Sequence, residues 1–235
     1  MMILYKLTNQ DNTTHNGFKW EVGNTYKIPQ KERKMEMCNG GMFHAYRSIE
    51  LGLLLNPIHA KISNPKLFEM KGKIQVEDFG KVGTYSLSCI KEIKLPKWYV
   101  DESVLRKVQI QFAILCAEKV LHYYTKKYPN DDRPQKAIDA AKECLKTGYA
   151  AYAAYDAAAA AYAAYAAYDD AAAAAAADAA HAAVFAAAAA DAAHAAVFAA
   201  DAAAYDVKKI DFNEIAKQAV SMQSKDGKSG VYSRE

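Results

Sequence analysis

Along the first 97 residues apolar and polar positions alternate in short runs broken by turn-forming residues, the pattern of half-buried strands. Ile3–Leu7 reads as a strand closed by the polar run from Asn9 to His15. Glu21–Pro29 opens on Gly-Asn turn chemistry, alternates, and stops at proline. Lys66–Val76 and Thr84–Leu95 are two further strands, and Glu77–Lys81 between them reads as a loop. Ala45–Leu55 carries apolar residues at 45, 49, 51, 53, 54 and 55. That spacing predicts a short helix ending before Pro57, with His44 at its start.

After Pro96 the period changes to that of helices. Val104, Val108, Phe112, Leu115 and Val120 recur at helical spacing behind a cap at Asp101 or Ser103, which predicts a helix to about Tyr124. Tyr128–Asp132 breaks it. Asp131 or Asp132 then caps a second helix with Pro134 in its first turn and an Ala137, Ile138, Ala141, Leu145 stripe, ending near Gly148. The two form a helical hairpin.

From 150 to 204, 38 of 55 residues are alanine, with no glycine or proline among them. Alanine is the best helix former, so this tract is expected to be helical. A single helix of that length would run about 80 Å, so two or three antiparallel helices are expected, turning near Asp169-Asp170 and near 186–190. A last amphipathic helix is expected over Lys208–Val220, with Ile210, Ile215 and Val220 inward. The pattern as a whole predicts an α+β chain: a small β-rich N-terminal domain (1–97), an alanine-rich antiparallel helical bundle (98–220) and a flexible tail (221–235).

Charge adds a division. The net charge of +3 hides 24 Lys/Arg against 16 Asp/Glu in residues 1–150, and 6 against 11 in residues 151–235. The basic half lacks the dense Lys/Arg clusters that neutralise several phosphates together, which argues against nucleic acid as partner. The four cysteines (Cys38, Cys89, Cys116, Cys144) form no Cys-x-x-Cys pair, as expected of packed thiols in a reducing cytoplasm. The N-terminus turns polar too soon for a signal peptide, and aspartates at 156, 169, 170, 178, 191 and 201 argue against a membrane span.

Candidate chemistry is sparse. Asp-Ala-Ala-His-Ala-Ala-Val-Phe occurs at 178–185 and again at 191–198. A shift of 13 residues turns the motif by about 220° on a helix, so the copies face apart unless the helix breaks. Asp178/His181 and Asp191/His194 each place a carboxylate and an imidazole on one helix face, a possible metal-ligand arrangement. Glu, the usual partner in such sites, is missing nearby. Each Asp accepting a hydrogen bond from the imidazole one turn away explains the pairs more simply. Tyr162 and Tyr165, with His44, Tyr46 and His59, are candidate ligand-lining residues. Cys38, His44 and His59 together are the one constellation fit for nucleophilic chemistry, though no orienting carboxylate is evident. No nucleotide or dinucleotide fingerprint and no nucleophile elbow occurs, so no cofactor is expected.

Two resemblances complete the reading. Asn16-Gly17-Phe18, Val22-Gly23-x-x-Tyr26, Cys38-Asn39-Gly40, Phe43-His44-Ala45 and Ile90-Lys91-Glu92-Ile93 resemble a domain of unknown function common in phage and prophage proteins, over about 1–97. The chain departs from it at Gly41-Met42 and in the insert through Leu55-Asn56-Pro57. Phe112–Ala117 with Asp132-Arg133-Pro134-x-x-Ala137-Ile138-x-Ala140-Ala141 resembles a family of immunity proteins, over about 105–205. Neither resemblance supplies a catalytic residue. Together they imply a non-catalytic phage or mobile-element accessory protein of the bacterial cytoplasm. It would bind a host or phage protein to inhibit a defence component, and self-association into a homo-oligomer is a further expectation. The alternatives are a small-ligand sponge for nucleotide or metal, and an enzyme built on Cys38, His44 and His59.

Overall fold

The computed structural model describes residues 1–37, 40–78, 80–147 and 210–226. The chain divides into two compact units, Met1–Lys97 and Trp98–Glu235. The first is an antiparallel sheet with short helices and the second is helical, so the fold is α+β.

Unit 1 is built on five strands: β1 (Met2–Thr8), β2 (Thr25–Lys27), β3 (Phe43–Ala45), β4 (Lys66–Glu77) and β5 (Val82–Ile93). The order is β1-β4-β5-β2, with β3 also paired to β5. The long strands β4 and β5 form the predicted hairpin around residues 78–81, and their register slips at three places between Glu69 and Val76. Such bulges bend a strand and raise its twist. The bend lets the sheet close. Just past β3, Tyr46 exchanges both backbone hydrogen bonds with Tyr5 of β1, each 2.8 Å. The ring of pairings therefore runs β1–β4–β5–β3 and back to β1.

One face of this sheet carries the core of the unit: Leu4, Phe68, Met70, Val82, Leu87, Cys89 and Ala45, covered by Trp20. Trp20 lies in an aromatic group with Phe18, Tyr26 and Phe43, their centroids 4.8–5.4 Å apart and none of the planes parallel. Tilted and edge-on contacts are what ring quadrupoles favour. The loop delivering Phe18 and Trp20 turns through positive φ at Asn16 and Gly17, and the Trp20 indole N–H donates to Thr14 Oγ1 at 2.9 Å.

One expectation fails in this unit. His44 and Ala45 do not start a helix but belong to β3, where Ala45, 1 % exposed, pairs with Val82. Helix α1 begins only at Ile49 (Ile49–Leu54), because Ser48 supplies the cap: its hydroxyl accepts from the Leu51 N–H at 3.2 Å. As expected, α1 ends at Leu54, ahead of Pro57. Pro57 itself sits in the first turn of a second short helix, α2 (Asn56–His59), where its missing N–H costs nothing. Leu51, Leu53, Leu54 and Leu55 are buried, and α1 packs on β1.

The short helix α3 (Lys97–Val100) spans the point in the sequence, after Lys97, where the units divide. In unit 2, α4 (Glu102–Lys127) and α5 (Arg133–Thr147) form the predicted hairpin. Asp101 caps α4, its Oδ1 accepting from the Ser103 and Val104 N–H groups. All eight residues from Ile110 to Ala117 are buried, so α4 is covered on every side there; α5 packs on it through Ala137, Ile138, Ala141 and Cys144. The last described helix, α6 (Phe212–Asp226), packs on α4 with Phe212, Ile215, Ala216, Ala219 and Val220 inward. Its buried residues end at Val220, and the helix runs on to Asp226. The turns expected in the alanine tract lie outside the described residues.

Candidate functional site

Of the candidate residues, three are described, and the fold of unit 1 brings them together. β3 carries His44, the closing segment carries Tyr46, and α2 carries His59. The Tyr46 and His59 rings stack with centroids 6.0 Å apart and planes 12° from parallel. The edge of the His59 ring meets the β4–β5 turn. A Cβ on Gly80 would stand 2.8 Å from His59 Cε1 and 2.7 Å from Leu55 Cδ1, so only glycine lets the turn close down here. The turn is held in shape by Asp78, whose Oδ1 accepts from the Gly80 N–H at 2.8 Å and the Lys81 N–H at 2.7 Å.

The electrostatics of this cluster keep both imidazoles neutral. Burial pushes His59 down to about 4, the Lys81 ammonium adding to the effect and the Asp78 carboxylate opposing it. His44 is also pushed down to about 4, first by burial, then by Lys81 and Lys6, with His59 contributing and Asp78 opposing. Burial, assisted by Asp78, raises the Tyr46 phenol. Lys6, on β1, completes the group. Its ammonium donates to the His44 carbonyl at 2.7 Å and lies 4.8 Å over the Trp20 ring, and burial lowers it to about 8.

Chemically, this is a set of neutral hydrogen-bonding rings at neutral pH. Neither histidine carries the proton a general acid would deliver at pH 7. Cys38, the nucleophile in the enzyme reading, lies outside the described residues. So do Tyr162, Tyr165, Asp178, His181, Asp191 and His194. Among the described residues no three His, Cys, Asp or Glu side chains converge to hold a metal ion.

Asp78, Lys81, Gly80 and Lys6 were not singled out from the sequence. The Asp-x-Gly-Lys run of the turn carried a local signal, since an aspartate two and three residues ahead of N–H donors favours this side-chain-closed turn. Nothing local marks Lys6, whose surroundings come from residues 20 and 44.

Unit 2 has a second polar construction, at the turn between α4 and α5. Tyr124, fully buried, donates its hydroxyl to Asp131 Oδ2 at 2.6 Å. The same carboxylate receives the Arg133 backbone N–H at 3.1 Å and the Arg133 guanidinium through two nitrogens. Arg133 and Pro134 lie in the stretch that carried the second resemblance, which therefore includes one side of this clamp.

The comparison with known families falls on this unit. The sequence model of the Imm-5 like putative immunity protein family matches residues 102–225, more than half of the 235-residue chain, from the first residue of α4 to the last turn of α6. The chain belongs to that family. The match spans α4, α5 and α6 and the whole alanine tract between α5 and α6, so the tract is part of the family's domain. No curated protein and no solved structure matches the chain. Among the described residues no helix is long and apolar enough to cross a membrane.

Proposed function

We propose that the protein is a non-catalytic inhibitor of the immunity type, which binds a protein partner in the bacterial cytoplasm and blocks its action. The observation that carries this reading is the match of residues 102–225 to the immunity-protein family. The partner it fits is a toxin or defence effector of the same cell. The resemblance of residues 1–97 to a phage and prophage domain adds a mobile-element setting, in which such an effector belongs to host defence. The state of the one described histidine cluster is consistent with a binding role: His44 and His59 are held neutral, and His59 is locked between Tyr46 and Gly80 as part of the packing.

The test has two stages. The tagged full chain is used as bait in lysate of a bacterial host, and a stoichiometric captured protein is identified by mass spectrometry. That protein is then expressed with and without the chain. Growth arrest or loss of partner activity, relieved by co-expression, is the expected result. A chain that captures nothing reproducibly, or captures a protein whose activity it leaves unchanged, sinks the reading.

A further inference from the structure

The sulfur of this chain is concentrated in one place. Three of its seven methionines (Met35, Met37 and Met42) and one of its four cysteines, Cys38, fall within eight consecutive residues. Methionine commonly fills irregular gaps in a core, and Met42, 5 % exposed, fits that role. Met35, 64 % exposed, does not. Packing alone therefore leaves the cluster unexplained.

The loop that carries it is pinned at its base. Lys34 N–H donates to the Gly41 carbonyl at 3.4 Å, and the two arms pass so closely that a Cβ on Gly41 would stand 2.7 Å from Lys34 Cβ. From this crossing the chain enters β3 through Met42. Two thioethers meet there. The Met42 sulfur occupies the place that a Cβ on Gly83 would take, and the Met37 sulfur lies 3.1 Å from that place. Gly83 thus leaves room for two sulfurs side by side, which any larger residue would take away.

β3 supplies a nitrogen donor at the same spot. His44 stands opposite Gly83 in the β3–β5 register. Directly opposed residues project to the same face, so the His44 side chain starts about 5 Å from the place that the Met42 sulfur fills. An imidazole binds a metal through one ring nitrogen and keeps a hydrogen bond at the other, so the interactions His44 already makes are compatible with ligation.

Two thioethers and an imidazole form a soft, uncharged donor set, and thioether sulfur selects Cu(I) among the first-row ions. Charge points the same way. The Lys81 ammonium acts on His44 more strongly than the opposing Asp78 carboxylate does. A positive field costs a doubly charged ion about twice what it costs a singly charged one.

We propose that Met37, Met42 and His44 form a binding site for a soft monovalent metal ion, Cu(I) above all. Bound metal ties the loop of residues 34–41 to β3. The site lies in unit 1, outside residues 102–225, so it goes beyond the inhibitor reading and is tested independently of it.

Cu(I) is offered anaerobically as its bicinchoninate complex, and its withdrawal is read as loss of colour. The full chain is measured as it stands and with Cys38→Ser, because a thiolate next to Met37 in the sequence would bind Cu(I) by itself; the other three cysteines are buried. The Cys38→Ser chain should still take up one equivalent. In that background Met37→Leu, Met42→Leu and His44→Gln should each weaken binding about tenfold or more, and Met70→Leu, elsewhere in the core of the unit, should not. Exchanging methionine for leucine conserves volume, so these variants should stay folded, which circular dichroism checks. With Ag(I) as a redox-inert substitute, the methyl resonances of Met37 and Met42 should shift while those of Met70 and Met222 stay in place. No withdrawal of Cu(I) by the Cys38→Ser chain overturns the proposal. So does undiminished binding in any of the three ligand variants, an equal loss in Met70→Leu, or displacement of the Cu(I) by equimolar Zn(II).

Discussion

Tyr46 and His59 stack nearly parallel, with ring centroids 6.0 Å apart, and the backbone of Gly80 closes against the edge of the imidazole. Three separate pieces of chain (the segment that closes the sheet, a short helix and a hairpin tip) are thereby packed on one ring. Replacing Gly80 with Ala puts a methyl within 3 Å of the half-buried His59 ring and the fully buried Leu55 side chain. Overpacking of this kind costs about 1–3 kcal/mol. Urea unfolding of Gly80→Ala should show a lower midpoint at unchanged slope, and an unchanged midpoint would mean that the turn shifts freely.

The same cluster sets a pH dependence. Both histidines sit at about 4 in the folded protein, against 6.5 for an ordinary histidine. As pH falls through 6.5 the unfolded chain takes up protons that the folded chain refuses, so stability is full above about 6.5 and declines toward 4. Both rings keep some solvent contact, so the loss is discounted to about 1 kcal/mol for each. Unfolding midpoints of the wild type and of His59→Phe between pH 7 and 4 test this. The variant should lose roughly half of the slope, and parallel curves would refute the assignment.

Lys6 has its own window. Burial holds its ammonium at about 8, so between pH 8 and its ordinary 10.5 the unfolded chain binds the proton more tightly than the folded one. Relative to Lys6→Met, the wild type should therefore gain stability as pH rises from 8 to 10.5. Using the difference between the two proteins removes the tyrosines that titrate in the same range.

In the helical unit, Tyr124→Phe removes the hydroxyl donor from Asp131 and should cost about 1–2 kcal/mol. Asp131→Ala should cost more, since it strips a carboxylate partner from both Tyr124 and Arg133. Thermal melts followed by circular dichroism would rank the two, and the reverse order would mean that the carboxylate is not the centre of the clamp.

Asp101→Ala tests the start of α4. Losing a capping carboxylate that accepts two backbone N–H groups should cost about 1 kcal/mol. Amide exchange in residues 102–106 should speed up, while exchange in the buried 110–117 stretch stays slow.

Long elements with their own periodicity were legible in the sequence. β4 and β5 follow from alternation around a turn, and the α4–α5 hairpin from its apolar stripe and its cap. β3 was not, because a three-residue strand is defined by its partners; Phe43–Ala45 is a strand only because Val82–Thr84 lies beside it. The apolar run after Ala45 pulled the reading toward a helix that begins four residues later than expected, at Ile49 behind the Ser48 cap. His44, Tyr46 and His59 were legible as candidates from their types and from nearby glycines. Their stacking, the closeness of Gly80 and the neutral state of both rings depend on contacts distant in sequence, which no local pattern encodes. Pro57 marked the end of α1 correctly; the four-residue α2 that opens on it was not read, because a single helical turn carries no periodicity of its own.

The closed ring of pairings in unit 1 also dictates an order of events. Met2 is paired with Gly72, and β2 and β3 both depend on β5, which ends at Ile93. During synthesis the N-terminal strand therefore waits, unpaired, until almost the whole unit has left the ribosome. The helical hairpin of α4 and α5, whose contacts are local, can form as soon as it emerges. Long-range pairing of this kind folds slowly and leaves apolar strands open to aggregation or proteolysis meanwhile. Translation rate and chaperone supply should therefore govern the yield of unit 1 more than that of the helices that follow it.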